Sequence, residues 1–140
     1  MSKIAVVYWS GTGNTEEMAK LVAEGSKAAG ADVAMFTASD FNTDRAAAYD
    51  GIAFGCPSMG AEVLEESEFQ PMWDSVEPIL KSKRTALFGS YGWGDGEWMR
   101  NWEEACIKNG IPLVCDYVIC NEAPDDETKE ACKALGKALD

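Results

Sequence analysis

The chain has 140 residues, the length of one domain, and a fold of that size buries about two-thirds of its unfolded surface. Its 12 basic and 24 acidic residues leave a net charge of −12, which disfavours nucleic acid and anionic membranes as partners and favours basic proteins. With no histidine, Ser-His and Cys-His nucleophile pairs, histidine acid–base catalysis and His-containing zinc sites are excluded.

The sequence alternates strand and helix patterns. Ile4 to Tyr8 is a continuous apolar run, as expected of a strand buried on both faces. The loop Ser10-Gly11-Thr12-Gly13-Asn14-Thr15 follows, and a helix starts at about Asn14. Met18, Leu21, Val22, Gly25, Ala28 and Ala29 keep its helical spacing, with Gly30 as the stop. Ala31 to Thr37 forms a second strand, and Ile52 to Cys56 a third, before Pro57. Phe69 to Leu80 is helically spaced but carries Pro71 and Pro78. Thr85 to Ser90 is a fourth strand, Glu97 to Asn109 a helix closed by Gly110, and Leu113 to Cys120 a fifth strand. Asp125 to Leu139 is the last helix, with Asp125 or Asp126 as its N-cap.

Five strands alternating with helices imply right-handed crossovers, a parallel sheet and one three-layer α/β/α domain over residues 1–140. In such sheets ligands sit beyond the carboxyl ends of the strands. The five cysteines, at 56, 106, 115, 120 and 132, are odd in number and contain no C-x-x-C. That argues against a disulfide framework, a zinc ribbon or an iron–sulfur cluster, and for small buried side chains in a reducing compartment. No apolar run approaches the roughly 18 residues of a membrane span, and MSKIAVVYWS lacks a signal layout, so the expected location is the cytoplasm.

The loop after strand one suits an anion: glycines turn the backbone, a helix N-terminus follows, and Ser10, Thr12 and Thr15 add hydroxyls. It is neither GxxxxGK[ST] nor GxGxxG, since the third glycine position is Glu16. Ser10-Gly11-Thr12-Gly13-Asn14-Thr15 resembles the [ST]-x-T-G-x-T phosphate loop of flavodoxins. Gly55-Cys56-Pro57-Ser58-Met59-Gly60-Ala61-Glu62 and Leu87-Phe88-Gly89-Ser90-Tyr91-Gly92-Trp93-Gly94 are similar to that family's two flavin-flanking loops. The resemblance spans the chain and is strongest to the short-chain clostridial type. It implies a five-stranded sheet of order 2-1-3-4-5, non-covalent FMN, and electron carriage between partner redox proteins.

On that resemblance, residues 10–15 hold the phosphate, while Ser58, Met59, Gly60, Ala61, Glu62, Ser90, Tyr91, Gly92, Trp93 and Gly94 flank the ring. Trp93 offers a stacking face and Met59 a polarizable one. Trp9, Trp73, Trp98 and Trp102 read as core residues, and Glu65, Glu66 and Glu68 as a solvated acidic run. The resemblance makes Glu62 the acceptor for flavin N3–H and gives Gly60 a redox-tuning role, its carbonyl turning toward N5 on one-electron reduction. Position 61 is Ala where the family often has a small polar residue. Glu122, after strand five, is a further candidate contact.

An FMN-dependent quinone reductase on the same fold is the competing reading. The short chain, with no inserted segment after strands four or five, favours a monomeric carrier without catalytic residues or metal. A phosphoacceptor domain would need an acidic pair after strand one and an Asp after strand three, where Trp9-Ser10 and Cys56-Pro57 stand. No Lys or Arg lies between residues 46 and 80, and acids follow strands three, four and five. Negative charge at the strand ends should disfavour the flavin anion. The expected carrier is therefore low-potential, works mainly on the semiquinone/hydroquinone couple and docks basic surfaces on its reductase and acceptor.

Overall fold

A computed structural model describes residues 2–140; Met1, the first residue of the stretch read for a signal layout, lies outside the described residues. Five parallel strands, β1 (Lys3–Tyr8), β2 (Asp32–Thr37), β3 (Gly51–Gly55), β4 (Arg84–Tyr91) and β5 (Val118–Asn121), lie in the order β2-β1-β3-β4-β5. The helices are α1 (Asn14–Ala28), α2 (Thr43–Ala46), α3 (Phe69–Val76), α4 (Glu97–Lys108) and α5 (Asp126–Ala138). The expected fold is the observed one.

Successive residues of a strand point to opposite faces, so the apolar runs fill two separate cores. Ala5, Val7, Ile52, Phe54 and Leu87 face α3 and α4, where Trp73, Trp98 and Trp102 pack. Ile4, Val6, Ala53, Ala86 and Phe88 face α1 and α5. The two helices on that second face meet backbone to backbone. A Cβ on Gly25 would stand 2.0 Å from the Lys133 carbonyl oxygen, and one on Gly136 would stand 2.0 Å from that of Val22. The buried Ser26 hydroxyl donates to the Gly136 carbonyl at 2.7 Å, closing the contact.

Two elements depart from the sequence expectation. The fifth strand, expected over Leu113 to Cys120, is β-paired continuously only from Val118. Leu113 forms an isolated bridge to Thr85, while Val118 pairs with Phe88. Three steps along β4 thus face five along the partner segment, and the two extra residues loop the chain outward with Asp116 exposed. The helix expected over Phe69 to Leu80 stays α-helical only to Val76 and tightens to a 3₁₀ turn over Glu77–Ser82. Pro78 lacks the N–H that a continuing α-helix would use, and its ring crowds the preceding turn. The short α2, capped by the Asn42 side chain accepting the Arg45 N–H at 2.9 Å, has too few residues to leave a periodic signal.

All five cysteines are free thiols, four of them buried and Cys115 half-buried. Burial pushes the thiols of Cys56, Cys106 and Cys132 up to about 12. No helix among the described residues is long and apolar enough to cross a membrane.

Glu65 corrects the reading of a solvated acidic run. It is only 6% exposed, and its carboxylate accepts the N–H groups of Ser67 (2.9 Å), Glu68 (2.8 Å) and Phe69 (2.9 Å), together with the Ser67 hydroxyl. This carboxylate caps α3 from three residues before the helix's flanking position. Burial raises its pKa, but the Ser67 hydroxyl and the three N–H groups outweigh that and hold it below the usual glutamate range. Because the folded value is depressed, the stabilisation is complete above the unfolded value of about 4.3 and is lost as pH falls through the folded one. Glu65→Gln should therefore lower stability at pH 7 by about 1–3 kcal/mol and flatten the acid limb of the stability–pH curve. Urea melts from pH 7 down to 3 measure both.

Candidate functional site

A cleft opens where β1, β3 and β4 end. Ser10, Gly11, Thr12, Asn14 and Thr15 line one side, Ser58 and Met59 another, and Ser90, Tyr91, Gly92 and Glu122 the third. Trp9 and Pro57 complete it. Neither is among the site residues expected from the sequence. Trp9 read as core, although its place directly after β1 was the available signal. Its ring lies so near Gly11 that a Cβ there would stand 3.1 Å from it.

One pole of the cleft is built for an anion. Gly13, the residue flanking α1, has φ 98 and supplies no side-chain cap. Ser10 Oγ accepts the N–H groups of Gly13 (3.1 Å) and Glu16 (3.3 Å), which folds the loop over the helix start and leaves the hydroxyl proton available. Thr15 Oγ1 accepts the Ser90 N–H at 3.3 Å and likewise keeps its own proton to donate. The N–H groups of residues 11, 12, 14 and 15 have no protein acceptor among the described residues. The other long helices have carboxylates at their N-termini: Glu65 on α3, Glu62 accepting the Glu97 N–H of α4 at 3.1 Å, and Asp125 accepting the Thr128 N–H of α5 at 2.8 Å. Glu16, in the first turn of α1, instead accepts the Tyr8 hydroxyl at 3.2 Å. Of these four helices, α1 alone keeps its positive end open to an outside anion.

Beside the cleft the chain after β3 folds into a hairpin. Met59 and Val63 exchange backbone hydrogen bonds (2.9 and 3.0 Å), so Gly60, Ala61 and Glu62 form the tip of a tight hairpin. Gly60 has φ 50 with nothing within 4 Å of where a Cβ would stand, and Glu62 has φ 56. Trp93, in the loop after β4, is 66% exposed. The Trp98 indole N–H donates to the Cys56 carbonyl at 3.1 Å, fixing the turn out of β3 against α4. Glu122 (φ 59) donates its N–H to the Tyr91 carbonyl at 2.8 Å, and its own carbonyl accepts the Ser90 hydroxyl at 2.6 Å. The enclosed part holds about 210 Å³, below the roughly 300–1,000 Å³ of small-molecule sites.

Six expected residues do not line the enclosed part. Gly13 turns to a neighbouring hollow beside Tyr8 and Trp9. Gly60, Ala61, Trp93 and Gly94 stand exposed around the mouth. Glu62 is only 9% exposed and borders a crevice with Trp73, Trp98 and Trp102.

The family model described as Flavodoxin matches residues 6–135. The chain belongs to the flavodoxin family. Flavodoxins of Megasphaera elsdenii and Clostridium beijerinckii are each 46% identical to it, with 96% of both chains covered. The solution structure of two-electron reduced Megasphaera elsdenii flavodoxin superposes with a TM-score of 0.89, covering 97% of each chain. The cofactor of this flavodoxin is accordingly FMN, and the protein is an electron carrier rather than an enzyme, working with redox partners.

The phosphate pole can be tested through its hydroxyl. Thr15→Val removes one charge-assisted donor, worth about 1.5–3 kcal/mol, so FMN should bind roughly 10- to 150-fold more weakly. Riboflavin, which lacks the phosphate, should bind wild type far more weakly than FMN does. Equal affinities for the two in fluorescence titration would remove this loop as the phosphate site.

Proposed function

We propose that residues 1–140 form one FMN-binding unit that shuttles electrons in the cytoplasm, as a monomer, between partners with basic docking surfaces. The open N-terminus of α1 carries this reading, because it supplies an anion site that no carboxylate of the chain fills. Bound FMN supplies one-electron uptake and release; everything else falls to the chain's own groups.

Ser10, Gly11, Thr12, Gly13, Asn14 and Thr15 hold the phosphate through backbone N–H groups and hydroxyls, without a cation. Met59 and Trp93 bracket the ring; Ser58, Ala61, Ser90, Tyr91, Gly92 and Gly94 shape its surroundings; and Glu122 closes the β5 side. Glu62 supplies the acceptor for the ring N3–H, with Oε2 left over from its bond to α4. Gly60, left-handed and unobstructed, lets the peptide beside the ring reorient at small cost. Gly60→Thr places a β-branched residue where L side chains are strained, by about 1 kcal/mol. The first one-electron couple should then move negative by tens of millivolts, a tenfold change being about 59 mV. Spectroelectrochemistry that finds the couple unmoved, with FMN still tightly bound, would remove Gly60 from redox tuning.

Carboxylates set the second couple and the partners. Glu66, Glu68, Glu97, Glu122, Asp126 and Glu127 are exposed near the strand ends, and Asp95 is exposed but paired with Arg100 at 3.0 Å. Gathered negative charge and an apolar cleft disfavour further electron density, so the second one-electron couple is the more negative and the reduced carrier a strong reductant. The same charge steers basic partners, within a Debye length of about 10 Å at 0.1 M salt. Neutralising Glu66 and Glu68 to Gln, with Glu65 kept because it caps α3, should move the second potential positive. It should also reduce the salt dependence of electron transfer to a basic acceptor in stopped-flow measurements. If neither changes, these two residues serve solubility alone.

A further inference from the structure

Glu62 stands in a backbone conformation that L side chains seldom adopt, φ 56, yet it is nearly buried. Its carboxylate reaches away from its own hairpin to the start of α4, where Oε1 accepts the Glu97 N–H at 3.1 Å. Gly96, the flanking residue of that helix, has no side chain to offer, and no other side-chain cap is made there. The carboxylate also lies against Gly94. A Cβ at Gly94 would stand 2.6 Å from both Cδ and Oε1 of Glu62 and 3.0 Å from Oε2. Position 94 is therefore glycine for two reasons: its φ of 89, and the volume that the carboxylate occupies.

We infer that Glu62 is a latch that fastens the 59–63 hairpin to the N-terminus of α4, so that the hairpin carrying Met59 and the loop carrying Trp93 and Gly94 are held as one unit. The proposal rests on the assignment of FMN to the cleft. It goes beyond a ring contact for Glu62, because the same carboxylate sets the spacing of the hairpin and the 93–96 loop before any ligand is present. Two interactions make the latch: a charge-assisted hydrogen bond, and the attraction of a carboxylate to the positive end of a twelve-residue helix. Glu62 is in this respect a positioning residue, and Gly94 is its seat.

Amide hydrogen exchange of Glu97, read by NMR on the full chain with FMN and after its removal, tests the latch directly. Glu62→Ala should speed exchange at Glu97 about tenfold or more in both states, while Glu62→Gln, which keeps an acceptor oxygen, should restore most of the protection. The ligand-free arm separates this proposal from the FMN assignment, since it reads the latch whatever the cleft binds. A double-mutant cycle on FMN affinity gives the second reading. Gly94→Ala should weaken binding strongly in wild type, where it collides with the carboxylate, and clearly less in Glu62→Ala, where the space is free. Unchanged Glu97 exchange in Glu62→Ala, or equal effects of Gly94→Ala in both backgrounds, would overturn the latch.

Discussion

One buried hydroxyl links the two poles of the cleft. Thr15 Oγ1, at the first turn of α1, accepts the Ser90 N–H at the end of β4, reaching across the sheet from one strand end to another. The phosphate loop and the loop that carries Trp93 are therefore not independent appendages. That bond requires α1 to sit at a fixed height along the sheet. The height is set at the far end, where Gly25 and Gly136 let α1 and α5 approach to backbone contact and Ser26 closes the gap. A packing feature at one end of α1 thus fixes the position of its other end, beside the cleft.

The treatment of helix N-termini separates structure from function in this fold. Each helix start leaves N–H groups that lack intrahelical acceptors. In α3, α4 and α5 the chain answers with its own carboxylates, delivered by Glu65, Glu62 and Asp125. Two of these come from outside the helix they serve, so each also ties a loop down. In α1 the loop supplies glycines and hydroxyls instead, and although Glu16 and Glu17 lie in its first turn, no carboxylate among the described residues accepts its first N–H groups. A carboxylate at Gly13 or Asn14 would stabilise the empty protein and compete with phosphate.

The five strands and the strand-end loops were legible in the sequence, because a parallel sheet buried on both faces leaves continuous apolar runs, while the sheet order came from the motifs' resemblance to flavodoxins. Glu62 and Glu65 show where such reading stops. Four glutamates within seven residues carry the same local signature whether solvated or buried, and only the arrival of α3 and α4 beside two of them decides. The interruption of the fifth strand was hidden for a similar reason. Leu113 to Cys120 has strand-like composition throughout, and the two-residue excess exists only relative to β4. Pro78 was visible, but whether it ends a helix or tightens it depends on the 3₁₀ turn that Leu80 anchors in the core.

A protein of charge −12 that binds an anion without a Lys or Arg in the binding loop has to keep two electrostatic regimes apart. The α1 end offers an anion oriented N–H groups and hydroxyls at contact distance, where the field of a helix end is strong and falls off within a turn. The exposed carboxylates spread over the strand-end rim act at longer range, over about a Debye length, and their effect fades with salt. Burying Glu62 and Glu65 against helix N–H groups serves this separation. It sets each of these two negative charges against the positive end of a helix, while Glu66 and Glu68 of the same acidic run stay exposed.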